Sequence, residues 1–166
     1  MDTKVKLRQR GAAIALAKRR KVRLSEIGRV IQAAFGEVYG YLGSHRVTPH
    51  EPPFLIYHGT PGPGREPFEI EICAPIGRPI DPPLGWRLVE LPAGTFASTV
   101  HVGPYDTLGQ TYDHLDAWLR SSEYVKAGPP REVYLSEPST PPELTRTVVE
   151  YPVEEAKARA GAARKG

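Results

Sequence analysis

The sequence predicts an α+β fold in which a mostly antiparallel sheet carries two helices on one face. Three observations predict it. Residues 6–28 align without a gap on residues 87–109, an offset of 81, so that Leu7 meets Leu88, Ala12 meets Ala93, Ile27 meets Leu108 and Gly28 meets Gly109. A second block aligns at an offset of 77, with PPFLIY (52–57) on PPREVY (129–134) and API (74–76) on YPV (151–153). Within each copy the apolar residues change period from two to the helical spacing and back, which gives strand, strand, helix, strand, strand. Two copies predict one closed pseudo-symmetric domain over residues 4–153, with copy one at about 4–76 and copy two at about 86–153, because a solenoid usually needs three or more repeats. A pseudo-twofold axis would bring corresponding residues to a central seam, where differences between the copies carry information.

Val5 and Leu7 share one face of the first strand and basic residues the other. Residues 12–18 (AAIALAK) favour helix by composition. Their partner AGTFAST is richer in threonine and phenylalanine, so the repeat makes both strands. Ser25 then stands as a helix cap, with Ile27, Val30, Ile31, Phe35, Val38 and Leu42 as an apolar stripe and Gly43 as the stop. In copy two Asp106 takes the cap position, and Leu108, Tyr112, Leu115, Trp118 and Leu119 form the stripe. FLIYHG and PFEIEICAPI follow as strands, as do REVYLSE and LTRTVVEYPV. PGPGREP reads as a hairpin connection. Residues 154–166 lack apolar periodicity and are expected to be a disordered tail with at most a short helical start.

The bulk composition excludes several classes. The chain has 166 residues, the size of one domain, and at 40% hydrophobic it can bury a core. Twenty-two Lys and Arg against 19 Asp and Glu leave a net charge of +3, no strong mark of nucleic-acid binding. The one cysteine, Cys73, cannot form an intramolecular disulfide and reads as a buried small hydrophobe. No run approaches a membrane span, and the N-terminus lacks a signal-peptide core, so a cytoplasmic protein is expected. The five histidines are scattered, and no metal-ligand spacing, GxSxG or Walker-type loop occurs, so neither metal nor cofactor is expected. The basic run at 18–23 (KRRKVR) falls on TVHVGP of the other copy and reads as a solvated strand end and turn, with a contact to an acidic partner as the minority reading.

Glu132 is the residue that stands out. It occupies the strand position that copy one fills with Leu55, which makes it a candidate buried charge. Burying a carboxylate unpaired is costly, and a cationic or polar ligand would offset that cost. Burial would also push it toward the neutral form, as suits a general acid or base. The alternative is an exposed strand glutamate paired with Arg131 or Arg146. Tyr134 lies two residues on, on the same strand face, and Tyr57 is its match in copy one. Both offer rings for stacking and cation–π contact, or act as core tyrosines. Trp118 near the end of the second helix, and Tyr39 and Tyr41 on the first, are further aromatic candidates, while His101 and Tyr105 read as shaping the strand-to-helix turn.

HVGPYDTLG, GPPREVYLSEP and PPELTRTVVEYPV, in this order within a duplicated module, resemble the GyrI-like domain. This is the effector-binding domain of AraC-type and MerR-type multidrug regulators, also found alone in DNA gyrase inhibitory proteins. The resemblance spans roughly residues 4–153. It implies two SHS2-type modules around a cleft for flat, apolar, often cationic molecules, with a glutamate at the floor and aromatic walls. On this chain those would be Glu132 with Tyr134, Tyr57, Trp118 and Tyr39. Relatives carry a helix-turn-helix domain ahead of the module, whereas only three residues precede the first strand here, so a chain without a DNA-binding domain is expected. Many relatives have an acidic residue at the position of Val148, where copy one has Glu71.

Three functions follow from this resemblance. The leading one is a stand-alone binder of planar hydrophobic or cationic compounds. The second is a hydrolase that opens cyclopropane rings of DNA-alkylating natural products, with Glu132 positioning a water and Tyr57 supplying a hydroxyl. The third is a protein–protein role such as gyrase inhibition, with no support beyond the resemblance.

Overall fold

The computed structural model describes residues 4–59 and 67–157. In chain order the elements are β1 (Lys6–Arg10), β2 (Ala13–Val22), α1 (Ile27–Ser44), β3 (Phe54–Tyr57), β4 (Phe68–Ile76), β5 (Arg87–Leu91), β6 (Gly94–Val102), α2 (Leu108–Arg120), β7 (Tyr124–Lys126), β8 (Arg131–Tyr134) and β9 (Arg146–Glu155). Every named strand pair is antiparallel, so the fold is α+β with two helices. The chain divides into two compact units, residues 11–93 and residues 1–10 with 94–166.

In the unit of residues 11–93 the strand order is β5–β2–β4–β3. β2 is therefore flanked on both sides, and its Ala15, Leu16 and Ala17 are fully buried. Two ladders outweigh the helix propensity of this alanine-rich run, as tertiary context often does. α1 packs against β4 and β2 through Ala34, Val38 and Leu42. Leu16, Leu55, Ile70 and Ile72 complete a core in which each fully buried aliphatic contributes about 2 kcal/mol.

In the other unit the order is β1–β6–β9–β8, with β7 also paired to β9. α2 sets Leu115 and Leu119 against Ala97, Val149 and Val153. The pairings repeat between the units. Leu55 pairs Ile72 and Glu132 pairs Val149, both shifted by 77; Leu16 pairs Ala74 and Ala97 pairs Tyr151, shifted by 81 and 77. The outer strands were not foreseen. β1 pairs β6 and β5 pairs β2, so each unit takes its outer strand from the other half of the sequence.

Several local expectations are corrected. Neither Ser25 nor Asp106 caps a helix: each lies in a 3-10 turn, Leu24–Glu26 and Tyr105–Thr107, that precedes the α-helix. The Glu26 carboxylate instead accepts the Arg23 N–H at 3.0 Å, and the Thr107 hydroxyl donates to the Pro104 carbonyl at 2.8 Å. α1 runs past Gly43 to Ser44, and the left-handed residue after it is Arg46, at φ 55°. Residues 154 and 155 are not tail but the end of β9, held by β7, a three-residue strand that periodicity could not reveal. Residues 61–66 of the expected hairpin connection and residues 158–166 of the expected tail lie outside the described residues. Lys18–Val22 of the basic run belong to β2, where Arg19 lies opposite Glu71 and Lys21 opposite Glu69.

Candidate functional site

Glu132 sits on β8, and alternation along the strand puts Glu132 and Tyr134 on one face and Arg131 on the other. The Glu132 face is the one that α2 covers, because Val149, its cross-strand partner, packs in the cluster around Leu115. Glu132 is 3% exposed. Tyr112 of α2 donates its hydroxyl to Glu132 Oε2 at 2.7 Å, and Tyr134 donates to Oε1 at 3.1 Å. The Tyr105 ring stands edge-on to Tyr134, with centroids 6.0 Å apart. Burial, and then the charge of Glu132, push the Tyr105 phenol above its ordinary pKa. Tyr112 is edge-on to Tyr151 at 6.3 Å, and Lys126 Nζ lies 4.1 Å from the centroid of the Tyr151 ring. A buried carboxylate thus stands in a group of aromatic rings, with tyrosine hydroxyls as hydrogen-bond donors.

His101 holds the turn that delivers two of these rings. It is buried, and its Nε2 faces the Pro104 carbonyl at 2.9 Å, which requires Nε2 to carry the proton and donate. Nδ1 then accepts from the Thr111 hydroxyl at 2.6 Å. Gly103, at φ 133°, makes the corner, a conformation that L side chains rarely adopt. Tyr105 follows in the 3-10 turn, and Tyr112 lies beside Thr111 on the first turns of α2.

Glu132 is not the exposed strand glutamate of the alternative reading. Arg131 donates from Nε to Glu150 Oε1 at 2.6 Å, and its guanidinium lies 4.2 Å from the centroid of the Phe96 ring. Arg146 is exposed. Of the other expected residues, Tyr134 is in hydrogen-bond contact with Glu132. Trp118 is in the same unit, stacked on Tyr124 at 6.4 Å and packed against the core cluster. Tyr57 and Tyr39 belong to the other unit. Tyr57 stacks on Phe68 at 6.3 Å. Tyr39 is half-buried beside Phe35, with its phenol pushed up to about 12 by burial. Tyr41 donates to the Asp81 carbonyl at 2.6 Å.

Sequence reasoning missed Tyr112, taken only as part of the apolar stripe, and Glu150. Glu150 is fully buried on β9 and accepts from Arg10 at 2.8 Å, from Arg131 and from Ser98. Burial opposes its charge, but these donors outweigh that and hold its carboxyl below the ordinary carboxylate range. A glutamate in the apolar run TVVEYPV was the available signal. Glu71 in the other unit is similar. Burial opposes its charge, and His58 at 3.0 Å, Arg87 and Arg19 outweigh it.

The GyrI-like small molecule binding domain family matches residues 3–154, and the chain belongs to that family. Among solved structures it is similar to the C-terminal domain of EcmrR, at 23% identity and TM-score 0.81 over 93% of this chain and 99% of that one. Against EcmrR in its complex with DNA, the chain spans 57% of that chain's length. A hydrolase from Listeria innocua is similar at 14% identity and TM-score 0.67, over 92% of both chains. The SAV2435 structure bound to tetraphenylphosphonium is similar at 15% identity and TM-score 0.64, over 91% of this chain and 94% of that one. No protein of curated function matches the chain significantly. Among the described residues no helix is long and apolar enough to cross a membrane.

Proposed function

We propose that this domain takes up planar hydrophobic or cationic compounds, with Glu132 as the anchor and the tyrosines around it as walls. The observation that carries the reading is a carboxylate 3% exposed with tyrosine hydroxyls from α2 and β8 on its two oxygens. Those hydroxyls hydrogen-bond the carboxylate but bring no positive charge of their own. A ligand cation entering beside Glu132 would gain Coulomb attraction at reduced dielectric, plus roughly 0.5–2 kcal/mol per ring face it meets. Trp118 and the tyrosines of the other unit are not needed for this reading.

The repeated registers support a second part of the proposal: the chain is a duplication of one SHS2-type module in which only copy two was converted for binding. Leu24, Ile31 and Leu55 of copy one stand where copy two has Tyr105, Tyr112 and Glu132. The tetraphenylphosphonium in the SAV2435 structure makes that cation a reasonable probe. Calorimetric titration of tetraphenylphosphonium into wild type and Glu132→Gln tests the anchor; equal affinity for both rejects it. A hydrolytic role at the same carboxylate is checked by mass spectrometry of a cyclopropane-bearing alkylator incubated with the protein. Ring opening above buffer that disappears in Glu132→Gln would replace the binding reading with an enzymatic one.

A further inference from the structure

Beside the Glu132 cluster lies a hydroxyl without a hydrogen-bond partner among the described residues. It is the buried Oγ1 of Thr147 on β9, a residue 0% exposed. Such a group costs about 1–3 kcal/mol, and buried hydroxyls are otherwise almost always satisfied. Thr147 is the cross-strand partner of Tyr134 on one side and of His101 on the other. Glu132 is diagonal to it on the same sheet face, at an ordinary antiparallel spacing of roughly 7–8 Å. The position is also one that copy one fills without a polar atom. Shifted by 77, Thr147 falls on Ile70, which is fully buried in the core of the other unit. Packing alone is therefore served by an aliphatic side chain at this point of the sheet.

We infer that the Thr147 hydroxyl is a specificity-determining contact that hydrogen-bonds a polar group of the ligand held by Glu132. The inference rests on the proposed binding role of Glu132 and names the chemistry that site prefers: a cation carrying a hydrogen-bonding substituent a short distance from the charge. Tyr105 is the exposed ring of this group. It is 54% exposed on its 3-10 turn and stands edge-on to Tyr134, the cross-strand partner of Thr147. Glu132 supplies charge attraction to any cation, whereas Thr147 rewards only ligands with an acceptor or donor to meet it.

The test uses the full chain and three probes of equal charge: tetraphenylphosphonium, which has no hydrogen-bonding group, and its para- and meta-carbamoyl derivatives. Wild type should prefer the better carbamoyl derivative by on the order of 5- to 10-fold, the worth of one buried hydrogen bond. Thr147→Val should abolish that preference while leaving tetraphenylphosphonium affinity unchanged and raising thermal stability, since it removes an unsatisfied buried hydroxyl, and Thr147→Ser should restore the preference. Loss of stability in Thr147→Val would mean the hydroxyl is already satisfied within the fold, and would overturn the inference. So would an undiminished preference, or an equal loss for all probes. Glu132→Gln, run in parallel, separates the two readings. A variant that binds tetraphenylphosphonium as wild type does removes the anchor, whereas a lost carbamoyl preference in Thr147→Val alone speaks only to the hydroxyl.

Discussion

Leu55 and Glu132 occupy equivalent places in the two units. Each is the cross-strand partner of a buried aliphatic, Ile72 for Leu55 and Val149 for Glu132, and the two pairs are each 77 residues apart. One unit fills that place with hydrocarbon and the other with a carboxylate that two tyrosine hydroxyls contact. The fold therefore does not need the charge. A buried carboxylate where leucine suffices costs stability, and such costs concentrate at functional positions.

If the hydroxyls serve Glu132, the cluster should show energetic coupling. Tyr112→Phe should destabilise by about 1–2 kcal/mol, because it removes a donor from a buried charge. Glu132→Leu should leave the Tyr112 hydroxyl without that acceptor. The double variant, which approaches the Ile31 and Leu55 pair of copy one, should recover much of the loss. Urea unfolding of the four proteins gives the cycle, with an expected coupling of about 1 kcal/mol or more.

The Tyr105 phenol titrates above its ordinary pKa through burial first and the Glu132 charge second. Removing the charge should lower it, and removing the ring should delete the transition. Phenolate absorbance against pH, compared between wild type, Glu132→Gln and Tyr105→Phe, checks both. Glu132→Gln should shift one late-titrating tyrosine downward without bringing it fully to the free value.

Acid stability should be governed by Glu150 and Glu71. Both have folded pKa values lowered by arginine and other donors that outweigh burial. A carboxyl with a depressed folded pKa contributes stability that is present above its unfolded pKa, about 4.3, and lost as pH falls through the folded pKa. The melting temperature should therefore fall below about pH 4.5. Glu150→Gln should flatten that acid limb and destabilise at pH 7 by about 3 kcal/mol, since Arg10 and Arg131 lose their buried counter-charge. Melting curves of both proteins from pH 3 to 8 are the measurement.

The repeat made much of this legible. Offsets of 81 and 77 placed β2 despite its helical composition, and comparison of Leu55 with Glu132 singled out the carboxylate. Other features depend on pairings that local sequence does not encode. Arg10 and Glu150 are 140 residues apart, and they meet only because β1 pairs with β6 of the other half. An alignment shows which residues correspond, not which strands exchange. Tyr112 read as apolar stripe because a helical period records the ring and not its hydroxyl. Ser25 and Asp106 looked like caps because an inserted 3-10 turn leaves the same residue pattern before an α-helix. Thr147 was silent in a run of β-branched residues, where threonine and valine serve a strand equally well.

The central claim is that Glu132 is an anchor for a cation. Titration calorimetry of tetraphenylphosphonium against wild type, Glu132→Gln and Glu132→Leu tests it most directly, with circular dichroism confirming that each variant is folded. Both substitutions are expected to weaken binding by about 10- to 100-fold, the worth of an interaction with a charged partner. Folded variants that bind the cation as tightly as wild type would contradict the account.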